Sequence, residues 1–187
     1  SSPDGSEIDV ELKRKGYGYR ATASAETGMA RARVETEWVA GSGYGSSSAS
    51  AASNWSDWFV ISGGTGIGTA SFSSMLDGLL SSGKSGSAGF SLVIGYTPGS
   101  SCYYWYNSCN EADNSQILVN QNFNLSGKGK STLGQELEGE FTFAYDKPFS
   151  LTATLAVNAA NGGRADFILG SFDNSLVLPE GANLMSA

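Results

Sequence analysis

The chain has 187 residues, a formal net charge of −7, 16% charged residues and no histidine. The missing imidazole excludes Ser-His-Asp and Cys-His catalysis and HExxH zinc sites, and the acidic balance argues against nucleic acid or an anionic membrane surface as partner. No run of eighteen apolar residues occurs, so no insertion into a membrane is expected. No linker divides the chain, and residues 1–187 are expected to form a single domain.

Residues 1–5 carry no periodic pattern, and Ser1-Ser2-Pro3-Asp4 is expected to be the start of a processed mature chain. Ile8, Val10 and Leu12 then alternate with Glu7, Asp9, Glu11 and Lys13, the pattern of a strand with one wet face. Such an extended segment, residues 1–12, suits strand exchange with a neighbouring copy as well as pairing inside its own sheet. The basic run Lys13-Arg14-Lys15 reads as the solvated face or edge of a strand. Tyr17, Tyr19, Ala21, Ala23 and Ala25 continue the period of two. Met29 to Val39 contains good helix formers, but its Ala/Arg and Val/Glu alternation favours a strand.

Gly41 to Ser53 is of low complexity, either a flexible loop or, from Ala49 and Ala51 onward, the beginning of a strand continuing through Trp55, Asp57, Phe59 and Ile61. Glycines 63, 64, 66 and 68 have the density of a phosphate loop. They lack its following helix and its Lys-Ser/Thr, so a glycine turn into a strand from Thr69 to Phe72 is expected. Met75 to Leu80 fits a short strand or a helical turn. Ala88, Phe90, Leu92, Ile94 and Tyr96 mark a further strand, and Ile117, Val119 and Phe123 another, with Leu118 facing the opposite way.

The clearest stretch is Leu137 to Val157. Leu137, Phe141, Phe143 and Tyr145 alternate with Glu136, Glu138, Glu140 and Thr142; after Asp146-Lys147-Pro148 the alternation resumes with Phe149, Leu151, Ala153, Leu155 and Val157. Period two on both sides of a turn predicts a β-hairpin, and its apolar face requires a second sheet against it. Asn158 to Gly163 is a turn, and ADFILGSF and SLVLP supply closing strands. The fold expected is all-β, a two-sheet antiparallel sandwich of jelly-roll type.

Few residues offer chemistry. Cys102 and Cys109 enclose Tyr103, Tyr104, Trp105 and Tyr106, which reads as one disulfide staple of an exported chain; closing so short a loop contributes about 2–3 kcal/mol in the chain-entropy model. Four consecutive aromatics cannot all point inward, so this loop caps the core, contacts a protein or stacks on sugar rings. No cofactor is expected. Calcium is the one candidate, on the acidic clusters Asp4, Glu7, Asp9 and Glu111, Asp113, Asn114, which lack an EF-hand spacing. Glu136, Glu138 and Glu140 fall on one wet strand face, which supplies no cleft for the paired carboxylates of glycoside hydrolysis.

Three segments together, ASAAS-WSDWFVISGGTGIGTASF, FTFAYDKPFSLTATLAVNAANGGRADF and NSLVLPEGANLMSA, resemble the bacterial secreted proteins that carry a PEP-CTERM sorting signal. The resemblance spans residues 49–72 and 138–187, and the Val-Pro-Glu-Pro tail of that family does not occur among the 187 residues. It implies export from a Gram-negative cell that makes exopolysaccharide, with residence at the cell surface or in the extracellular matrix, and it transfers no functional residue. The function expected is therefore non-catalytic, structural or adhesive. The partner expected is the chain itself, in filaments built by exchange of the Ile8–Leu12 strand, or extracellular polysaccharide. The alternative is a carbohydrate-binding module using the aromatic loop.

Overall fold

A computed structural model describes residues 6–14, 17–26, 29–38, 48–99, 115–170 and 176–186, with side chains from residue 30 onward apart from 37 and 38. These residues contain twelve strands and no helix. The strands are β1 (Ser6–Arg14), β2 (Tyr17–Glu26), β3 (Met29–Trp38), β4 (Ser48–Ser62), β5 (Ile67–Ser82), β6 (Ser87–Pro98), β7 (Gln116–Ser126), β8 (Gly129–Ala144), β9 (Pro148–Ala160), β10 (Arg164–Leu169), β11 (Leu176–Val177) and β12 (Asn183–Ser186). They form two antiparallel sheets: a seven-stranded one running β1-β2-β3-β10-β5, with β8 and β11 also on β5, and a five-stranded one ordered β12-β4-β9-β6-β7. The β-sandwich expected from the alternation is the fold found.

Among the strands whose side chains are described, each sheet turns one row inward. From the seven-stranded sheet come Ala32, Val34, Phe72, Leu76, Phe141, Phe143 and Phe167; from the other come Phe59, Ile61, Leu92, Ile94, Leu151 and Leu155, all 4% exposed or less. An aromatic chain ties the layers: Tyr96 lies 5.0 Å from Phe141, and Phe149 lies 5.5 Å from Phe141 and 5.9 Å from Phe59, centroid to centroid. Offset and tilted pairs of this kind contribute about 0.5–1.5 kcal/mol each beyond the area they bury.

The predicted hairpin over Leu137 to Val157 is corrected by the structure. β8 and β9 do not pair: β8 pairs β5 along its whole length, and β9 lies between β4 and β6 in the other sheet. The turn at Asp146 and Lys147 is an arch between layers, so Phe141 and Phe143 face Phe149 across the core instead of lying beside it. Alternation fixes which side of a strand is apolar and leaves open which strand becomes its neighbour. Asp146 adopts a left-handed φ of 57°, and its amide donates to Ile61 O at 2.9 Å while the Tyr145 amide donates to Gly66 O at 3.1 Å. The arch is thus pinned to the β4–β5 turn. That turn is glycine-rich for a packing reason: a Cβ on Gly64 would fall 2.4 Å from Cζ of Tyr145.

Two further expectations are settled. Met75 to Leu80 belongs to β5, one strand of 16 residues. In β7 a bulge opposite Ile94 and Gly95 pairs Val119 with Ile94 and Ile117 with Gly95. Leu118 is the extra residue, so Val119 points into the core (8% exposed) while Ile117 is turned out (68%).

The turn after β9 is clamped from β3. The Thr36 hydroxyl, 3% exposed, accepts from the Gly162 and Gly163 amides at 3.1 Å each and donates to Gly163 O at 3.2 Å.

The outward faces of the two sheets differ. On the seven-stranded sheet Asp166 is met by Arg33 (3.6 Å), Arg31 (3.7 Å) and Arg164 (3.4 Å), and Glu136, Glu138 and Glu140 stand exposed on β8. The alternation of Arg31 and Arg33 with Ala32 and Val34 is explained by this network. Its surface position limits each pair to about 0–1 kcal/mol.

Candidate saccharide-binding slot

The two sheets meet at the β7–β8 turn, where the Gly127 amide donates to Gly86 O at 3.0 Å. Away from that turn β7 and β8 enclose a slot of about 410 Å³, within the range of small-ligand sites. Its apolar walls are Leu80, Phe90, Leu133 and Phe167, with Phe123 at the mouth, 46% exposed. Phe90 and Phe167 touch with ring centroids 4.4 Å apart, one from each sheet. Phe167 holds its place because Gly78, its partner on β5, has no side chain; a Cβ there would lie 2.1 Å from Cδ1 of Phe167.

The polar side chains on inward rows here are two amides and a hydroxyl, Gln121 from β7 and Ser131 and Gln135 from β8; Asn120 and Asn122, which border the slot, stand on the outward row of β7 opposite Val93 and Ser91. Register explains all three inward groups, since Ser131 pairs the buried Leu80. Gln121 pairs Leu92, and Gln135 pairs Leu76, both partners fully buried, so each glutamine occupies the inward row of its strand. Amide side chains present two donors and a two-lone-pair acceptor, which matches vicinal hydroxyls, and exposed aromatic faces suit the C–H faces of sugar rings. None of the described lining residues is Asp, Glu, Lys or Arg, so they supply neither the acid nor the nucleophile of glycoside hydrolysis.

Sequence reasoning passed over this slot. The available signal was a glutamine where alternation demands an apolar residue: Gln121 between Val119 and Phe123, and Gln135 between Leu133 and Leu137.

The sites singled out from sequence fall elsewhere. Cys102, Tyr103, Tyr104, Trp105, Tyr106 and Cys109 lie outside the described residues, as do Asp4, Glu111, Asp113 and Asn114. Ile8, Val10 and Leu12 lie in the edge strand β1, opposite Ala23, Ala21 and Tyr19 of β2. Glu136, Glu138 and Glu140 are exposed beside a shallow hollow shared with Phe72 and Val177, outside the slot. Among the described residues no three Asp, Glu, Cys or His side chains converge on a common metal position.

No protein-family model matches the chain, and no match is found among curated proteins. Among solved structures, the carbohydrate-binding module TmCBM61 in complex with β-1,4-galactotriose aligns over 98% of this chain and 88% of its own, at 7% identity and a TM-score of 0.21. The Broad Bean Stain Virus structure aligns over 80% of this chain and 94% of its own, at 9% identity and a TM-score of 0.17. The Clostridium perfringens NetB toxin in its membrane-inserted form aligns over 98% and 94%, at 8% identity and a TM-score of 0.16. Likenesses at these scores carry no argument.

Proposed function

We propose that this chain is a non-catalytic adhesive protein of the bacterial surface or extracellular matrix, and that it holds polysaccharide in the slot between β7 and β8. The observation that carries the reading is the lining of that slot. Apolar walls with an exposed phenylalanine stand beside three uncharged polar side chains, Gln121, Ser131 and Gln135, all on rows that otherwise face the core. A neutral, hydroxyl-rich ligand with apolar ring faces fits both halves of that surface. Export and residence in the matrix are supported by the PEP-CTERM-like segments at residues 49–72 and 138–187.

A glycan array followed by titration calorimetry tests the reading. The chain is expected to retain a subset of neutral glycans, and Phe123→Ala and Gln135→Ala are each expected to weaken binding about tenfold, 1.4 kcal/mol. The reading fails when no glycan is retained, or when both variants bind as the parent does.

A further inference from the structure

The five-stranded sheet turns a face to solvent that is unlike the rest of the molecule. Its strands contain one charged residue, Asp57. Asp57 sits between Trp55 and Phe59 on the alternate row, where its Oδ1 accepts the Trp58 amide at 2.8 Å. The outward rows are therefore free of formal charge in a chain of net charge −7. Across the centre they run Asn54–Thr154–Val93 and Ser56–Thr152–Gly95, small and uncharged throughout. The same face carries Trp58 (45% exposed), Ile117 (68%), Met185 (49%) and Val93 (36%), half of the exposed large apolar side chains among the described residues.

We propose that this face is the contact between two copies of the chain, related by a twofold axis. Charge comes first: two copies of net charge −7 repel wherever charged faces approach. This face lets them meet with no ionised group to strip of water, the costliest part of burying a surface. Area comes second. The five strands, of 15, 12, 11, 13 and 4 residues, spaced about 4.8 Å and rising about 3.3 Å per residue, present about 900 Å². A stable pair buries about 800 Å² on each partner. Shape comes third, since Ser, Thr, Ala and Gly side chains let two sheets approach to about 10 Å with their strands aligned. The isologous arrangement closes at two copies and leaves both charged faces outside.

Sedimentation equilibrium of the full chain over a wide concentration range tests this. The parent is expected to pass from monomer to dimer, more tightly as salt screens the like net charges. Thr154→Lys, at the exposed centre of the face, sets two lysines against each other and is expected to weaken the dimer about a hundredfold. Glu138→Lys, on the other sheet, is expected to leave a dimer. Circular dichroism and thermal unfolding establish that each variant is folded. A parent that stays monomeric overturns the proposal, even if it is retained on insoluble neutral polysaccharide. A Thr154→Lys chain that dimerises like the parent also overturns it and moves the contact to a sheet edge.

Discussion

Replacing Gly78 by alanine tests the packing beneath the slot with a single methyl group. The added Cβ would lie 2.1 Å from Cδ1 and 2.6 Å from Cγ of Phe167, a ring 2% exposed and packed at a tilt against Phe90. The ring must move, and overpacking of this kind costs about 1–3 kcal/mol. Against that stands a gain of about 0.4–1 kcal/mol, because alanine restricts the unfolded chain more than glycine and Gly78 shows no left-handed φ. The net loss is about 1–2 kcal/mol, which for a chain of this size lowers the melting temperature by about 2–8 °C. Calorimetry on Gly78→Ala, Phe167→Ala and the double variant isolates the cause. Once Phe167 is truncated the second substitution should be neutral or slightly stabilising, giving a coupling near the full steric cost. A Gly78→Ala chain more stable than the parent, or a penalty that persists without the Phe167 ring, refutes the argument.

Two other outcomes follow from groups already described. Thr36→Val removes an acceptor shared by the half-buried Gly162 amide and the buried Gly163 amide and should cost about 1–3 kcal/mol in denaturant unfolding, while Thr36→Ser, which keeps the oxygen, should cost less. Burial pushes the Tyr96 hydroxyl above its usual value of 10.0. Above about pH 10 the unfolded chain gives up this proton while the folded one retains it, so stability present at neutral pH should fall as pH rises through that range. Tyr96→Phe should flatten that alkaline slope, read as melting temperature against pH.

Most of the strands were legible because their two faces differ in chemistry. Phe141, Phe143, Leu151 and Leu155 all lie inward as their spacing demands, and β3 is a strand because Arg31 and Arg33 need water and Asp166 while Ala32 and Val34 need the core. Pairing was not legible. The same alternation serves a hairpin and an arch, and the choice at Asp146 rests on bonds to Ile61 and Gly66, far away in sequence. The bulge at Leu118 was equally hidden, because one unpaired residue reverses the facing of Ile117 without altering composition. β12, four residues long, carries too little pattern to be seen. The slot left only a break in the pattern, Gln121 and Gln135 where alternation calls for an apolar residue, and it is register that sets these two opposite Leu92 and Leu76.

The arch at Asp146 is one of several places where the polypeptide changes layer; it also does so from β3 to β4, β4 to β5, β5 to β6, β7 to β8, β9 to β10 and β11 to β12. Outside the β1–β3 meander and the β6–β7 pair, consecutive strands are not neighbours, and most ladders wait for a segment made much later. Such high contact order makes assembly slow, in the range of milliseconds to seconds for all-β chains. It also means that β4 has no completed sheet to join until β9 has been synthesised. A chain interrupted before residue 148 would keep the inner row of β4 exposed, so nothing short of the nearly finished polypeptide can close its interior.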